Sequence, residues 1–335
     1  MEELDELLSA PGEATIAALA RVPGDIVVLG AGGKMGPTLA RMAARARHGG
    51  SAHRRVIAVS RFPADGTEQF LHRAGVETLK CDLLDRHAVA LLPDAPNVVF
   101  MAGQKFGTRD APSRTWMMNV VVPAICAERY AGARVVAFST GNVYPLTPVS
   151  GGGARETDPT APVGEYAQSC VGRERVFEHF AAKSETKVAI VRLNYAIALR
   201  YGVLTDLALK VAYGNAIPLT MGHVNVIWQG DANRAALELL PHAGTTPLIV
   251  NVTGSATLSV RDLATALGAR LGREPHFEGA EAPDALLSNT DRMHSLIGEP
   301  STSLETMLDW VAEWVKRERP LLGSATHFEA RDGQF

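Results

Sequence analysis

Ile26-Val27-Val28-Leu29-Gly30-Ala31-Gly32-Gly33-Lys34-Met35-Gly36 carries a short apolar run directly into a GxxGxxG spacing. An amphipathic helix pattern follows from Pro37 to about Arg47. An aliphatic run of this length, stopped by glycine, reads as a buried strand. The first glycine permits a tight turn, the next lets backbone approach a pyrophosphate, and the third lets the helix pack closely on the strand. The helix N-terminus then points its unpaired N–H groups at the phosphates. Such a motif is weak alone. Between a strand and a helix that open a βαβ unit it implies dinucleotide binding. Gly30, Gly32, Gly33, Lys34, Met35 and Gly36 are therefore read as cofactor-binding.

Working outward, further β-rich runs occur at Arg55 to Val59, Asn97 to Met101, Arg134 to Phe138, Lys187 to Leu193 and Leu248 to Val252. Helix-like segments lie between them, among them Thr115 to Tyr130 and Tyr166 to Lys183. Fully apolar strands alternating with helices predict an α/β, Rossmann-type doubly wound parallel sheet covered on both faces. After about Tyr195 the alternation weakens, and a late helix is expected from Ser303 to about Arg317. This predicts a smaller C-terminal α+β substrate lobe. Residues 1–24 read as a helical extension broken at Pro11-Gly12 and Pro23-Gly24. The division is then 1–24, a dinucleotide-binding domain over 25–194 plus about 224–254, and a substrate lobe over 195–223 and 255–335. Gly151-Gly152-Gly153 predicts a mobile loop.

The chain of 335 residues, 46% apolar and 21% charged, is long enough for a full core. A net charge of -3 gives no electrostatic case for nucleic acid or an anionic membrane. The opening MEELDELL is acidic where a targeting peptide would be basic. No apolar run approaches the roughly 18–20 residues that span a bilayer. Cys81, Cys126 and Cys170 are odd in number and widely spaced, which argues against a disulfide framework and against a metal site. A reducing cytoplasm is the simplest compartment.

The end of the second strand bears on cofactor choice. An NAD site usually has an acid there for the ribose 2′-hydroxyl. This chain has Ser60-Arg61, with no acid before Asp65. A hydroxyl and a guanidinium suit a 2′-phosphate, and Lys34 offers a second cation. The expectation is NADP(H) over NAD(H).

Further segments recur in order: Cys81-Asp82-Leu83, Phe100-Met101-Ala102-Gly103, Asn119, Phe138-Ser139-Thr140-Gly141-Asn142-Val143-Tyr144, and Glu156-Thr157-Asp158-Pro159 before Pro162 and Tyr166. Asn225 to Arg234 and Asn251-Val252-Thr253-Gly254 follow. With these the chain resembles the extended short-chain dehydrogenase/reductase family, also called the NAD-dependent epimerase/dehydratase family, from Asp25 to about Leu321. The resemblance implies hydride transfer on a carbohydrate-like small molecule, with Tyr166 as acid/base and Thr140 as its partner hydroxyl. It adds Asp82, Leu83, Ala102, Gly103, Gln104, Asn119, Tyr166 and Asn194 to the cofactor site, alongside Ser60 and Arg61. It implies substrate contacts at Thr140, Asn142, Tyr144, Tyr195 and His223, with Asn225, Trp228 and Asn289 as further pocket candidates. A homodimer through helices Thr115–Tyr130 and Tyr166–Lys183 is implied as well.

Three departures stand out. The family's lysine, four residues after the tyrosine, is Cys170. The family's Asn-Val-Tyr-Gly-Pro segment reads Asn194-Tyr195-Ala196-Ile197-Ala198. The arginine many sugar-nucleotide members carry has no counterpart in Met221-Gly222-His223-Val224. An unperturbed tyrosine titrates near 10, so about 1 in 1000 is ionised at pH 7. If the cation lowers that value by about 3 units, its loss forfeits roughly 4 kcal/mol, or about 10³ in a base-limited rate. Lys105, after the fourth strand, is the first candidate to restore the charge, and His223 the second. Alternatively, neutral Tyr166 donates its proton directly in carbonyl reduction. Cys170 reads as a buried inert thiol or as a nucleophile. The leading expectation is an NAD(P)-dependent oxidoreductase or epimerase acting on a sugar, sugar acid or sugar nucleotide. The second is a cofactor-binding regulator or scaffold that has lost catalysis.

Overall fold

The computed structural model describes residues 2–46, 54–323 and 326–333. Seven strands build one sheet: β1 (Ile26–Leu29), β2 (Val56–Ser60), β3 (Glu77–Lys80), β4 (Asn97–Phe100), β5 (Arg134–Thr140), β6 (Lys187–Leu193) and β7 (Leu248–Val252). Their order is β7-β6-β5-β4-β1-β2-β3, and every pairing is parallel. Successive side chains point to opposite faces. Ile26, Val28, Ala58 and Val99 thus join one core, while Val27, Leu29, Ile57 and Phe100 join the other. Helices cover both faces, which is why the strands are apolar throughout rather than alternating. The strand order reverses between β1 and β4, and this opens a crevice at their carboxyl ends.

β3 was not among the expected runs. It reads Glu77-Thr78-Leu79-Lys80 and stands at the sheet edge with most side chains exposed, so no apolar signal marks it. The expected Thr115–Tyr130 helix is three pieces: Pro112–Trp116, a wide π turn over Met117–Val121, and Val122–Arg129. Pro123 lacks the N–H that would bond the Asn119 carbonyl. The Val122 N–H instead donates back to Met117 O, five residues earlier. The helix after β1 spans Gly36–Arg45, and its expected end at Arg47 lies outside the described residues. The late helix spans Leu304–Lys316, capped by the Ser303 side chain on the Thr306 N–H.

A second core joins Leu204, Leu207, Val260, Leu263, Leu308 and Val311, with Trp228 among them. Residues 2–24 are no appended arm. Helix Glu2–Leu8 places Leu4 and Leu8 in this second core, while Leu19 and Val22 enter the first. Buried bonds secure them: the Thr15 hydroxyl donates to Glu238 Oε1 at 2.6 Å, and Asn233 Nδ2 donates to Leu8 O at 3.1 Å. The glycine run at 151–153 is not a free loop either. Gly153 has φ +79°, and a Cβ there would lie 2.6 Å from the Ser288 carbonyl carbon. Ala154 exchanges backbone bonds with Leu287 and Asn289, so the run is a tight seam against the Leu287–Asn289 segment.

Candidate active site

The chain changes element at the carboxyl ends of β1, β4, β5 and β6, and those turns converge on a cavity of about 170 Å³. Lys34 and Met35 come from the glycine loop and Lys105 from the turn after β4. Thr140 ends β5, Asn142 lies in the following short helix, and Asn194 and Tyr195 follow β6. Thr140 is extended, and its hydroxyl accepts from the Asn142 N–H at 3.2 Å. Tyr166 sits in the first turn of helix Gly164–Ser184, which aims its ring back toward β5. Its hydroxyl is within hydrogen-bond reach of the Thr140 hydroxyl and the Cys170 thiol. Burial pushes the Tyr166 phenol well above its usual range, and Cys170 adds to this; Arg173 and Thr140 oppose it. Tyr166 is therefore a neutral phenol here.

Two ammonium groups face the same space. Lys105 Nζ lies 6.0 Å from the Tyr166 ring centroid and donates to Thr326 O at 3.4 Å. Burial brings its pKa down to about 8, against the opposing influence of Cys170 and Asp206. Lys34 Nζ donates to Ala196 O at 3.0 Å and stands 4.2 Å from the Tyr201 ring centroid. Desolvation first, then repulsion by Lys105, lowers it to about 7. Lys34 is nevertheless open to the cleft; the surrounding walls, not close packing, desolvate it.

The glycines test whether a dinucleotide fits the crevice. Gly30 has φ +85°, and a Cβ there would lie 2.5 Å from the Ala102 nitrogen. A Cβ on Gly36 would lie 2.5 Å from Ala31 O, and one on Gly32 2.5 Å from Ser60 Oγ. At Gly33 the nearest atom would be Gly30 O at 3.5 Å, so this glycine faces open space. The turn is as tight as the sequence demanded, and its open side meets a helix N-terminus that attracts anions. The residues present fit the group.

The profile of the NAD dependent epimerase/dehydratase family matches residues 26–252. The chain belongs to this family. Membership makes it an enzyme of the NAD-dependent oxidoreductase/epimerase type. Its fold is shared by the UDP-glucose 4-epimerase of Thermotoga maritima (TM-score 0.72, 19% identity, covering 88% of this chain and 99% of that chain). It is also shared by the UDP-Glc/GlcNAc 4-epimerase of Campylobacter jejuni (TM-score 0.71, 20% identity, 88% and 99%). MoeE5, solved with UDP-glucose and NAD, is equally similar (TM-score 0.71, 20% identity, 88% and 99%). A search of curated protein sequences finds no match.

In this epimerase/dehydratase member, Cys170 has no exposure and packs with Val143, Tyr144 and Ala154. Burial pushes its thiol up, so it is neutral and not a nucleophile in this state. Sequence reasoning missed Arg173, three residues further along the same helix face. Its guanidinium donates to Phe138 O at 2.8 Å and to Asn119 Oδ1 at 2.6 Å. A Cβ on Gly103 would lie 2.3 Å from Arg173 Nη2, so the glycine after β4 makes room for this cation. Its signal is the spacing: Tyr166, Cys170 and Arg173 fall on one helix stripe.

Several expected residues do other work. Asn119 is buried and fully committed: it accepts from the Gln104 N–H at 2.8 Å and donates to Gln104 O and Ser169 Oγ, each at 2.9 Å. It clamps the Gly103-Gln104 turn to helix Gly164–Ser184 and does not line the cavity. Tyr144 is 2% exposed, accepts from Arg192 at 2.7 Å and donates to Asn251 Oδ1 at 2.9 Å, so its hydroxyl is held in the core; it lines a smaller neighbouring cavity and not the one around Thr140. His223 pairs with Ser259 in a short antiparallel strand pair outside the cavity. Asn225 bonds Ala256 O and the Ser288 N–H, and Trp228 stacks edge-on against Trp310 in the second core. Asn289 caps the Asp291 N–H. Lys34 does not join Arg61: Arg61 is exposed at the end of β2, 3.9 Å from Asp82, while Lys34 turns into the cleft. Ser60 accepts from the Phe62 N–H, Leu83 and Ala102 are buried beside the crevice, and Asn194 donates to Leu286 O at 3.3 Å.

Proposed function

We propose that this enzyme is an NAD(P)-dependent oxidoreductase or epimerase acting on a carbohydrate-derived small molecule, with Tyr166 as acid/base. The observation that carries this reading is the meeting of Tyr166, Thr140 and Lys105 around one cavity at the mouth of a dinucleotide crevice. A bound nicotinamide dinucleotide supplies the hydride donor or acceptor. Thr140 orients the reacting oxygen, and Tyr166 gives it a proton or takes one. The neutral phenol suits donation, hence carbonyl reduction. In the other direction Lys105 and Arg173 supply the positive field that the missing lysine would have given. Turnover of keto-sugars with reduced dinucleotide, read by nicotinamide absorbance, tests the reading; activity that survives loss of the Tyr166 hydroxyl would sink it.

Lys105→Met should lower kcat by about 10², or about 2.7 kcal/mol of transition-state stabilisation. An unchanged kcat would assign the field to Arg173 alone.

Arg61 supports NADP(H) over NAD(H), because it is the cation at the end of β2 and its partner Asp82 is loosely held. Arg61→Ala should weaken NADP binding by about tenfold, the size of one charge-assisted hydrogen bond, and leave NAD binding nearly unchanged. Equal loss for both dinucleotides in a fluorescence titration would remove the preference. Helix segments Pro112–Trp116 and Met117–Val121 leave Trp116 and Met117 exposed, which supports a homodimer through this face; sedimentation velocity decides it. Three buried, unpaired cysteines support a reducing compartment such as the cytoplasm. Among the described residues no helix is long and apolar enough to cross a membrane.

A further inference from the structure

The C-terminal segment Thr326–Gly333 returns across the cleft as a strap. Phe328 is 1% exposed in the second core, and its carbonyl accepts from the Tyr195 hydroxyl at 3.3 Å. The Thr326 N–H and hydroxyl both donate to Asp206 Oδ2, at 2.8 and 2.6 Å, while its carbonyl accepts from Lys105. Further along, Arg331 donates to Thr220 O at 2.9 Å and to Asp284 O at 3.0 Å, and it ion-pairs with the Asp284 carboxylate. The strap therefore spans two chambers. Thr326 walls the 170 Å³ cavity; Ala330, Arg331 and Gly333 wall a second one of about 40 Å³. Asn142 lines both, so the two chambers lie on either side of it, and strap residues wall each of them.

Ligands of drug size occupy pockets of roughly 300–1,000 Å³. A nucleoside diphosphate sugar is large for that class, and neither chamber, at about 170 and 40 Å³, has room for it. The charges facing the larger chamber are Lys34 and Lys105, with Asp206 and Glu329 nearby and Asp206 already bonded to Thr326. Lys34 stands on the glycine loop, its ammonium turned to Ala196 O and the Tyr201 ring. Lys105 stands beside Tyr166, where it meets the substrate.

Resting on the function proposed above, we infer that the substrate is a small free carbohydrate acid, whose carboxylate pairs with Lys105, and not a nucleotide-linked sugar. The strap sets the size limit and the lysine sets the charge.

The test measures binding, so that it does not depend on turnover. The full-length protein, saturated with NADP or NAD, is titrated by calorimetry with glucuronic acid, glucose, UDP-glucose and UDP-glucuronic acid. The expected result is that the free acid binds at least tenfold more tightly than glucose and that neither UDP-sugar binds measurably. The inference is overturned if either UDP-sugar binds as tightly as the free acid, or if the free acid binds no better than glucose. A Phe328→Ala/Arg331→Ala double variant, which frees the strap, should gain at least tenfold in UDP-sugar affinity; Arg331→Ala alone replaces it if the double variant does not fold. No gain in either variant would also overturn the size limit. Loss of turnover without loss of acid binding would instead count against the proposed chemistry and leave this inference standing.

Discussion

Tyr166→Phe is expected to lower kcat/KM by about 10³ or more while dinucleotide affinity stays within about threefold. The substitution removes one oxygen and leaves the ring in place. That oxygen is the atom that bonds both Thr140 and Cys170. The dinucleotide crevice is built by the glycine turn and the Gly103-Gln104 turn, and neither uses the phenol. Steady-state kinetics on the best substrate, with a separate dinucleotide titration, gives both numbers. A loss below tenfold would mean that protons move by another route, and Lys105, whose pKa burial lowers to about 8, would become the first suspect.

Arg192→Leu is expected to cost about 3–5 kcal/mol of folding stability. Arg192 and Glu174 form an ion pair at 2.6 Å, with side-chain exposures of 3% and 1%. Arg192 also donates to the Tyr144 hydroxyl, which passes the chain of bonds to Asn251 and so to Ala154 and Asn289. Removing the guanidinium leaves the buried Glu174 carboxylate bonded to the Ser139 hydroxyl but without its counter-charge. Removing both charges together, as Glu174→Leu/Arg192→Leu, should recover much of the loss, because an orphaned charge costs more than an absent pair. Urea unfolding of the wild type, the two single variants and the double variant measures the coupling. Additive losses would show that the pair is not the unit that matters.

These two sites differ in how far the sequence disclosed them. Tyr166 and Thr140 were legible because short motifs with fixed spacing place them at strand and helix ends. Lys105 was legible because a residue just after β4 must lie at the crevice. Arg173 was not, since it occupies a position where no motif expects a cation, and only the open Cβ position of Gly103 explains its path. The bonding of Tyr144 was hidden as well. Its motif is intact, yet the buried Arg192 claims its hydroxyl, and no local pattern reveals a partner 48 residues away. The parallel strands were plain from their aliphatic runs, except β3, whose edge position removes the need for an apolar face. The strap was invisible, because irregular backbone carries no periodicity.

The N-terminal helices carry a consequence for how the chain is made. Leu8 and Thr15 reach their partners Asn233 and Glu238 across 225 and 223 residues. At synthesis speeds of roughly 5–20 residues per second, that wait lasts on the order of ten seconds or more. During it Leu4 and Leu8 lack the other buried residues of the second core, which come from Ile197 onward. Helix Glu2–Leu8 thus completes its packing long after it is made, and it depends in the interval on whatever shields apolar nascent chain.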